Sequence, residues 1–461
     1  MTSFYKYFFT FFSIVFFTSC NINEEKTVTY FGGKVINPKT KFVLLLSQEK
    51  VIDSLLLDED NRFIAKYNNF KEGLYYFQHG PEHQYIYIEP QDSIMIRLNT
   101  WDFDESLVFS GKGADKSNVL IDFFLESEEE DKSYSLYSFY KLEPTNFKLK
   151  LDSILALKQL KINAFKAKNP NLSENYQLVL DIAAKYPIYN RFERYPEANR
   201  KNSQTKTYLK VNKQFYSYRE NINRNRDSLM IFGAYSKYIV ERLYNDVYTK
   251  EITPNKKEFI IDLLNSVNKS VHTEKLKNTF LKNMLINDFY KKSSCDIDKD
   301  AFYTFFKLSS SIEDKKHVQR LLNDIKNVSK GDNLFNFKVY DYNKTEHNIK
   351  TLTQYRNSVI YFWNPTYVNN SYLASRINYL SEKFPKITFI GIQFSSKNAQ
   401  PIKGIDIKNQ FYIDTISKAN MFLTSKLPRT LLVNKKGVLY NGYTSINSYS
   451  INKQIQKLQK N

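Results

Sequence analysis

Cysteine is nearly missing from this chain: 461 residues contain two, Cys20 and Cys295. Two thiols do not make a disulfide framework, so stability has to come from packing. Histidine is scarce as well, and His79, His83, His272, His317 and His347 are too scattered to outline a metal site. With 12 Gly in all, no glycine-rich phosphate loop and no nucleophile elbow is present. The carboxylates offer no pair that spacing alone places together. The apolar stretch 8–17 falls short of the roughly 20 residues that cross a bilayer as a helix. No catalytic residue, metal ligand or cofactor site is therefore assigned.

What the chain has in quantity is Tyr (35) and Phe (36), together with many Lys, Asn and Ile. These types share A/T-rich codons, and base composition accounts for much of the formal net charge of +19. A nucleic-acid footprint would be a concentrated basic face on a recognisable module. Here Lys is scattered and the acidic run 128–131, read as a solvated helix end, interrupts it, so no nucleic-acid partner is expected. Hydrophobic residues at 42% and charged residues at 25% are ordinary for a packed globular protein. The length suits three domains.

The first twenty residues carry the most specific pattern. Lys6 gives a positive start, residues 8–17 are largely apolar, and Phe17-Thr18-Ser19-Cys20 ends the run with small residues before a cysteine. This resembles a lipoprotein signal peptide, with Phe17 standing where leucine is usual. The resemblance implies that 1–19 is removed and that Cys20, lipidated on sulfur, becomes the first mature residue. Residues 20–26 would be the tether, and the partner at this end a membrane, held through several acyl chains. The expected location is the cell envelope, on the outer membrane facing the periplasm or the cell surface. Polar, acidic 21–25 reads either as a surface-export tag or as plain tether. Cys295 is then left without a partner, as buried filler or a free thiol.

Residues 27–113 alternate in short runs separated by turns. Strands are expected over 28–36, 42–46, 52–57, 63–67, 74–77, 84–88 and 94–98, forming an antiparallel β-sandwich. His79-Gly80-Pro81-Glu82-His83 matches a zinc-peptidase pattern that needs a helix, but Gly80-Pro81 between strands makes it a hairpin turn. The segment YIEPQDSIMIRLN followed by FSGKGADKSNVL resembles the small N-terminal domain found ahead of thioredoxin-like domains in many envelope lipoproteins. From 114 to 330 the spacing turns helical, with helices expected over 145–168, 173–185, 234–248, 256–267, 272–290, 299–308 and 312–328. Residues 195–207 lack an apolar stripe and read as a loop. This all-α middle region is expected to space the outer domains, with a helical solenoid as the alternative.

Residues 331–461 read as an α/β layer, with strands over 335–340, 359–363, 387–393, 430–433 and 438–443 and helices over 371–383, 415–423 and 451–460. GDNLFNFKVYDYNKTEHNIKTL, SVIYFWNPTYVNNSYLASRINYLSEKFP, ITFIGI and LPRTLLVNKKGVLYNGY, in that order, resemble the TlpA-like family of thioredoxin-fold thiol-disulfide oxidoreductases. The resemblance implies a lead-in strand, a strand ending in Phe362-Trp363, an active-site helix after Tyr367, and a cis-proline at Leu427-Pro428 before a strand that turns through Lys-Gly. The family's Cys-x-x-Cys positions fall here on Tyr367 and Asn370.

That departure decides the chemistry. Disulfide exchange needs one thiolate to attack and a second to resolve the mixed disulfide. A phenol and an amide do neither, so the domain is expected to be redox-inactive and the chain not to be an enzyme of this kind. A groove beside Trp363, Tyr367, Asn370 and Pro428 could still accept an extended segment by strand addition, which implies an envelope protein or peptide as partner. The plainer reading is that these aromatics only pack. The alternatives are a related enzyme with non-standard chemistry and a structural spacer.

Overall fold

The computed structural model describes residues 27–460 apart from 49, 134–135, 255, 293–296, 366–367, 395–398 and 449, and at 136, 137 and 292 it describes the backbone alone. Cys20 and Cys295 lie outside the described residues, as does the whole signal segment. The chain divides into two compact units: residues up to 134 with 157–185, and 135–156 with 186–461. The three-part division expected from element type and this division by contact are cuts of different kinds.

In the first unit, two sheets face each other. One runs in the order β4 (Arg62–Asn68), β1 (Val28–Ile36), β7 (Ser93–Asn99), β8 (Val108–Lys112), and the other β3 (Lys50–Leu56), β2 (Phe42–Ser47), β5 (Gly73–His79), β6 (Glu82–Ile88). Alternation puts Phe31, Val35, Phe63, Ile94, Ile96 and Phe109 of the first sheet and Val43, Leu45, Phe77, Ile86 and Ile88 of the second into one core. The expectation of an antiparallel sandwich needs correction: β1 lies between β4 and β7 and runs parallel to β7, pairing Gly33 with Ile96. Alternation fixes which face a side chain takes and is silent about strand direction.

The hairpin expected at Gly80-Pro81 is present, with His79 opposite Glu82 and Gly80 at φ 62°. A short helix α1 (Phe103–Ser106) precedes β8, and α2 (Ala114–Ser133) follows. Gly113, at φ 89°, permits the turn into α2, because any Cβ there would fall within 2.3 Å of the Asp92 carboxylate. Lys116 then pairs with Glu89 at 2.8 Å and with Asp92 at 3.2 Å.

The second unit contains α3 (Leu136–Phe139) and contributions from α4 (Pro144–Lys168) and α5 (Glu174–Asn202), followed by α6 (Gly233–Tyr248), α7 (Glu258–Ser270), α8 (Glu274–Lys292), α9 (Lys299–Leu308) and α10 (Ile312–Lys326). The loop expected at 195–207 is corrected over its first part, because α5 continues through Pro187 and Pro196 to Asn202, while 203–207 lies outside helix and strand as expected. Its last turns bury aromatic and charged groups together. The Phe147 and Tyr195 rings lie 4.3 Å apart, and the fully buried Glu193 carboxylate accepts from Tyr218 at 2.8 Å, Arg219 at 2.9 Å and Asn245 at 2.6 Å. A helix buried through paired charges shows no apolar stripe.

The rest of this unit is one seven-stranded sheet, β10 (Glu346–Asn348), β9 (Lys338–Tyr340), β13 (Gln410–Ile413), β12 (Thr388–Phe394), β11 (Ser358–Trp363), β14 (Arg429–Val433), β15 (Leu439–Thr444). It is accompanied by α11 (Ile349–Thr353), α12 (Asn370–Lys383) and α13 (Ile451–Lys460). β11 runs parallel to β12 and antiparallel to β14. Every residue of β11 is buried, with cores on both faces: Ile360 and Phe362 on one, Val359, Tyr361 and Trp363 on the other. The expected lead-in strand shortens to Lys338–Tyr340, and the expected helix at 415–423 is a 3-10 turn over Lys418–Phe422.

Candidate functional site

The site grows from the ends of β11 and β14. β11 ends in Trp363, 2% exposed, and β14 is preceded by Pro428; Tyr361 sits opposite Thr430 across the pair. α12 starts at Asn370 and is capped by Asn369, whose side-chain oxygen accepts from the Ser371 and Tyr372 amides at 2.9 and 3.1 Å. Between these parts lies a recess of about 330 Å³. Its apolar wall is Trp363, Val368, Leu373, Pro428 and Ile446; its polar wall is Thr430, Ser445, Asn447 and Ser448. That volume is at the lower end for ligand sites and suits one or two side chains rather than a large cofactor.

Of the residues marked out in the sequence, Trp363 and Pro428 line this recess. Asn370 is exposed at the start of α12 and is not among the lining residues. Tyr367 lies outside the described residues. The bond before Pro428 is trans, as no cis peptide occurs among the described residues, so the cis-proline implied by the resemblance is corrected. Trans is the lower-energy isomer even before proline. The case for a binding role therefore rests on the recess itself.

α8 supplies the wall that sequence reading missed: Asn287, Tyr290 and Lys291 also line the recess, and Ser448 Oγ donates to the Lys291 carbonyl at 3.2 Å. A signal for this was available. Leu276, Phe280, Leu281, Met284 and Leu285 of α8 are buried, and positions 287 and 291 follow Phe280 and Met284 by seven residues, two turns on, so they continue the same side of the helix toward the recess.

Below the recess, α10 holds the loop that leads to Pro428. Asp324, fully buried, accepts from the Thr424 amide at 2.9 Å and the Ser425 amide at 2.8 Å, and pairs with buried Arg429 at 3.5 Å. Asn327 Nδ2 donates to the Met421 carbonyl at 3.0 Å. Burial raises the pKa of the Tyr290 phenol, and nearby Arg429 opposes that shift. Burial also raises the Tyr361 phenol. Its hydroxyl lies against Gly391, where a Cβ would come within 2.5 Å, and it has no hydrogen-bond partner among the described residues.

Over about a quarter of its length this chain is similar to solved thiol-disulfide proteins. One is the thioredoxin domain of a thiol-disulfide oxidoreductase from Bacteroides vulgatus, 15% identical, TM-score 0.23, covering 28% of this chain and 96% of that one. A second is a thiol:disulfide interchange protein from a Bacteroides species, 15% identical, TM-score 0.24, covering 29% and 93%. A thiol peroxidase from Chromobacterium violaceum is 14% identical, TM-score 0.23, covering 28% and 86%. No protein-family model and no curated protein matches the sequence.

The groups at hand are hydrogen-bonding and apolar. Among the described residues no set of three or more His, Cys, Asp or Glu side chains could hold a metal ion. The recess is lined by hydroxyls and amides together with an indole and a proline ring.

Proposed function

We propose that the chain is a lipid-anchored cell-envelope protein whose C-terminal thioredoxin-like domain binds a protein or peptide segment without disulfide exchange. The observation that carries this reading is the recess beside Trp363 and Pro428, whose lining includes hydrogen-bonding groups. In the sequence, Tyr and Asn stand at both positions where the family keeps its thiols. Thr430, Ser445 and Ser448 would orient the bound backbone, and Trp363 and Pro428 would take an apolar side chain. The anchor belongs to Cys20.

A spacer reading has its own support, because α8 already forms part of the wall and is bonded to it through Ser448. Photocrosslinking in intact cells followed by capture separates the two. Ser445→Trp should fill the recess and lose at least nine-tenths of a specific envelope partner while circular dichroism stays native. Unchanged partners in that variant and in Tyr367→Ala would leave the domain as scaffold.

A further inference from the structure

The outer face of the β4-β1-β7-β8 sheet is a surface that the core does not use. Its registers align three rows across the four strands. The first is Arg62, Lys34, Arg97 and Val108; the second Ile64, Gly32, Met95 and Ser110; the third Lys66, Tyr30, Ser93 and Lys112. Two rows thus carry Arg62, Lys34, Arg97, Lys66 and Lys112, and no position in the three rows is acidic. All five basic side chains are exposed, and among the described residues none of them forms an ion pair. Between them runs an apolar strip in which Ile64, 66% exposed, and Met95 flank Gly32. A shallow recess of about 600 Å³ lies along it, with Leu56, 73% exposed, at its rim. The one carboxylate at that rim, Asp58, already accepts from the Asp60 and Arg62 amides at 2.9 and 2.8 Å.

Five cations around an apolar strip on one sheet face are costly to leave as plain surface, because like charges at directly paired positions repel. Lys34 has Arg62 on one side and Arg97 on the other. An acidic plane laid on the face would relieve that repulsion. We infer that this face rests on an anionic lipid surface, with the basic heads among phosphates and Ile64, Met95 and Leu56 at the headgroup boundary. The inference builds on the lipid-anchor reading, because β1 is the first strand after residues 20–26 and a segment of that length reaches at most roughly 25 Å. The face would act as the second, electrostatic contact of an anchored protein. A nucleic-acid surface fits less well, as Tyr30 alone on this face could stack on a base.

The test uses the full chain carrying Cys20→Ala, so that binding does not depend on an acyl chain. Its sedimentation with vesicles of phosphatidylcholine is compared with that on vesicles containing 30% phosphatidylglycerol. The expected result is a preference for the anionic vesicles that fades at high salt and falls roughly a hundredfold in Lys34→Glu/Arg62→Glu/Arg97→Glu, about fivefold for each cation removed. Lys316→Glu/Lys403→Glu/Lys435→Glu, exposed sites in the other unit with the same change in net charge, should keep the preference. Equal loss in both triples would overturn the inference, as would equal binding to both vesicle types. A preference for duplex DNA over anionic vesicles, abolished by the first triple alone, would overturn it in favour of nucleic acid. Lipid labelling of Cys20→Ala in cells tests the anchor separately: persistent labelling defeats the anchor assignment and leaves the vesicle result standing.

Discussion

His79 shows how one side chain can hold a turn and make it sensitive to pH. It is fully buried at the end of β5, its Nε2 accepts from the Lys39 amide at 2.9 Å, and its Nδ1 lies 3.1 Å from the Phe42 carbonyl. That pattern needs a neutral ring with the proton on Nδ1. Burial lowers the pKa below the ordinary 6.5, only partly offset by the bond to Phe42. A base with a depressed folded pKa contributes in full above the unfolded value, and its contribution is lost as pH falls through 6.5 toward the folded pKa. The stability gap between the wild type and His79→Gln should therefore narrow from pH 7.5 to pH 5. Urea midpoints at the two values measure it, and a gap that widened at low pH would contradict this role.

At the scale of elements, α10 matters more than its position ahead of the sheet suggests. Asp324 ties it to the loop before β14 through two backbone amides and Arg429. Asp324→Ala would leave a buried guanidinium without its counter-ion, a loss of about 3–5 kcal/mol. Guanidinium unfolding should register a drop of that size, and a change under 1 kcal/mol would show that the loop is held by other contacts. Nothing in the sequence around Asp324 marks it, because its partners come from residues 424–429. The strands were legible because alternation and turn residues repeat locally; 28–36 coincides with β1, and the turn at Gly80-Pro81 is where the residues put it. Aromatic runs with polar residues between them misled at 195–202, where the Glu197 carboxylate pairs with Arg200 at 2.7 Å. Trp363 and Pro428 could be named from their motif blocks. Asn287 and Lys291 continue the apolar side of α8 at seven-residue spacing, but that spacing does not reveal what the end of that side meets.

For the whole molecule, the scarcity of thiols makes a prediction about redox conditions. With two cysteines in 461 residues, and Tyr367 and Asn370 where the TlpA-like proteins that the sequence resembles carry thiols, the fold should not depend on an internal disulfide. The thermal midpoint with and without dithiothreitol should agree within about 1 °C, and insulin-reduction turnover should match buffer. A shift of several degrees on reduction, or measurable turnover, would reopen thiol chemistry.

The parallel pairing of β1 with β7 affects how the chain reaches its fold. β1 is made first, and its β4 and β7 neighbours arrive later, after the hairpin of the opposite sheet. Until Asn99 has emerged, one edge of β1 stays open, and the sheet cannot close by local pairing. Folding of this unit is thus governed by long-range closure, which is slow and leaves strand edges exposed meanwhile. A chain threaded through a membrane from its N-terminus would meet that interval at every synthesis, and escort by a chaperone on the far side would matter most there.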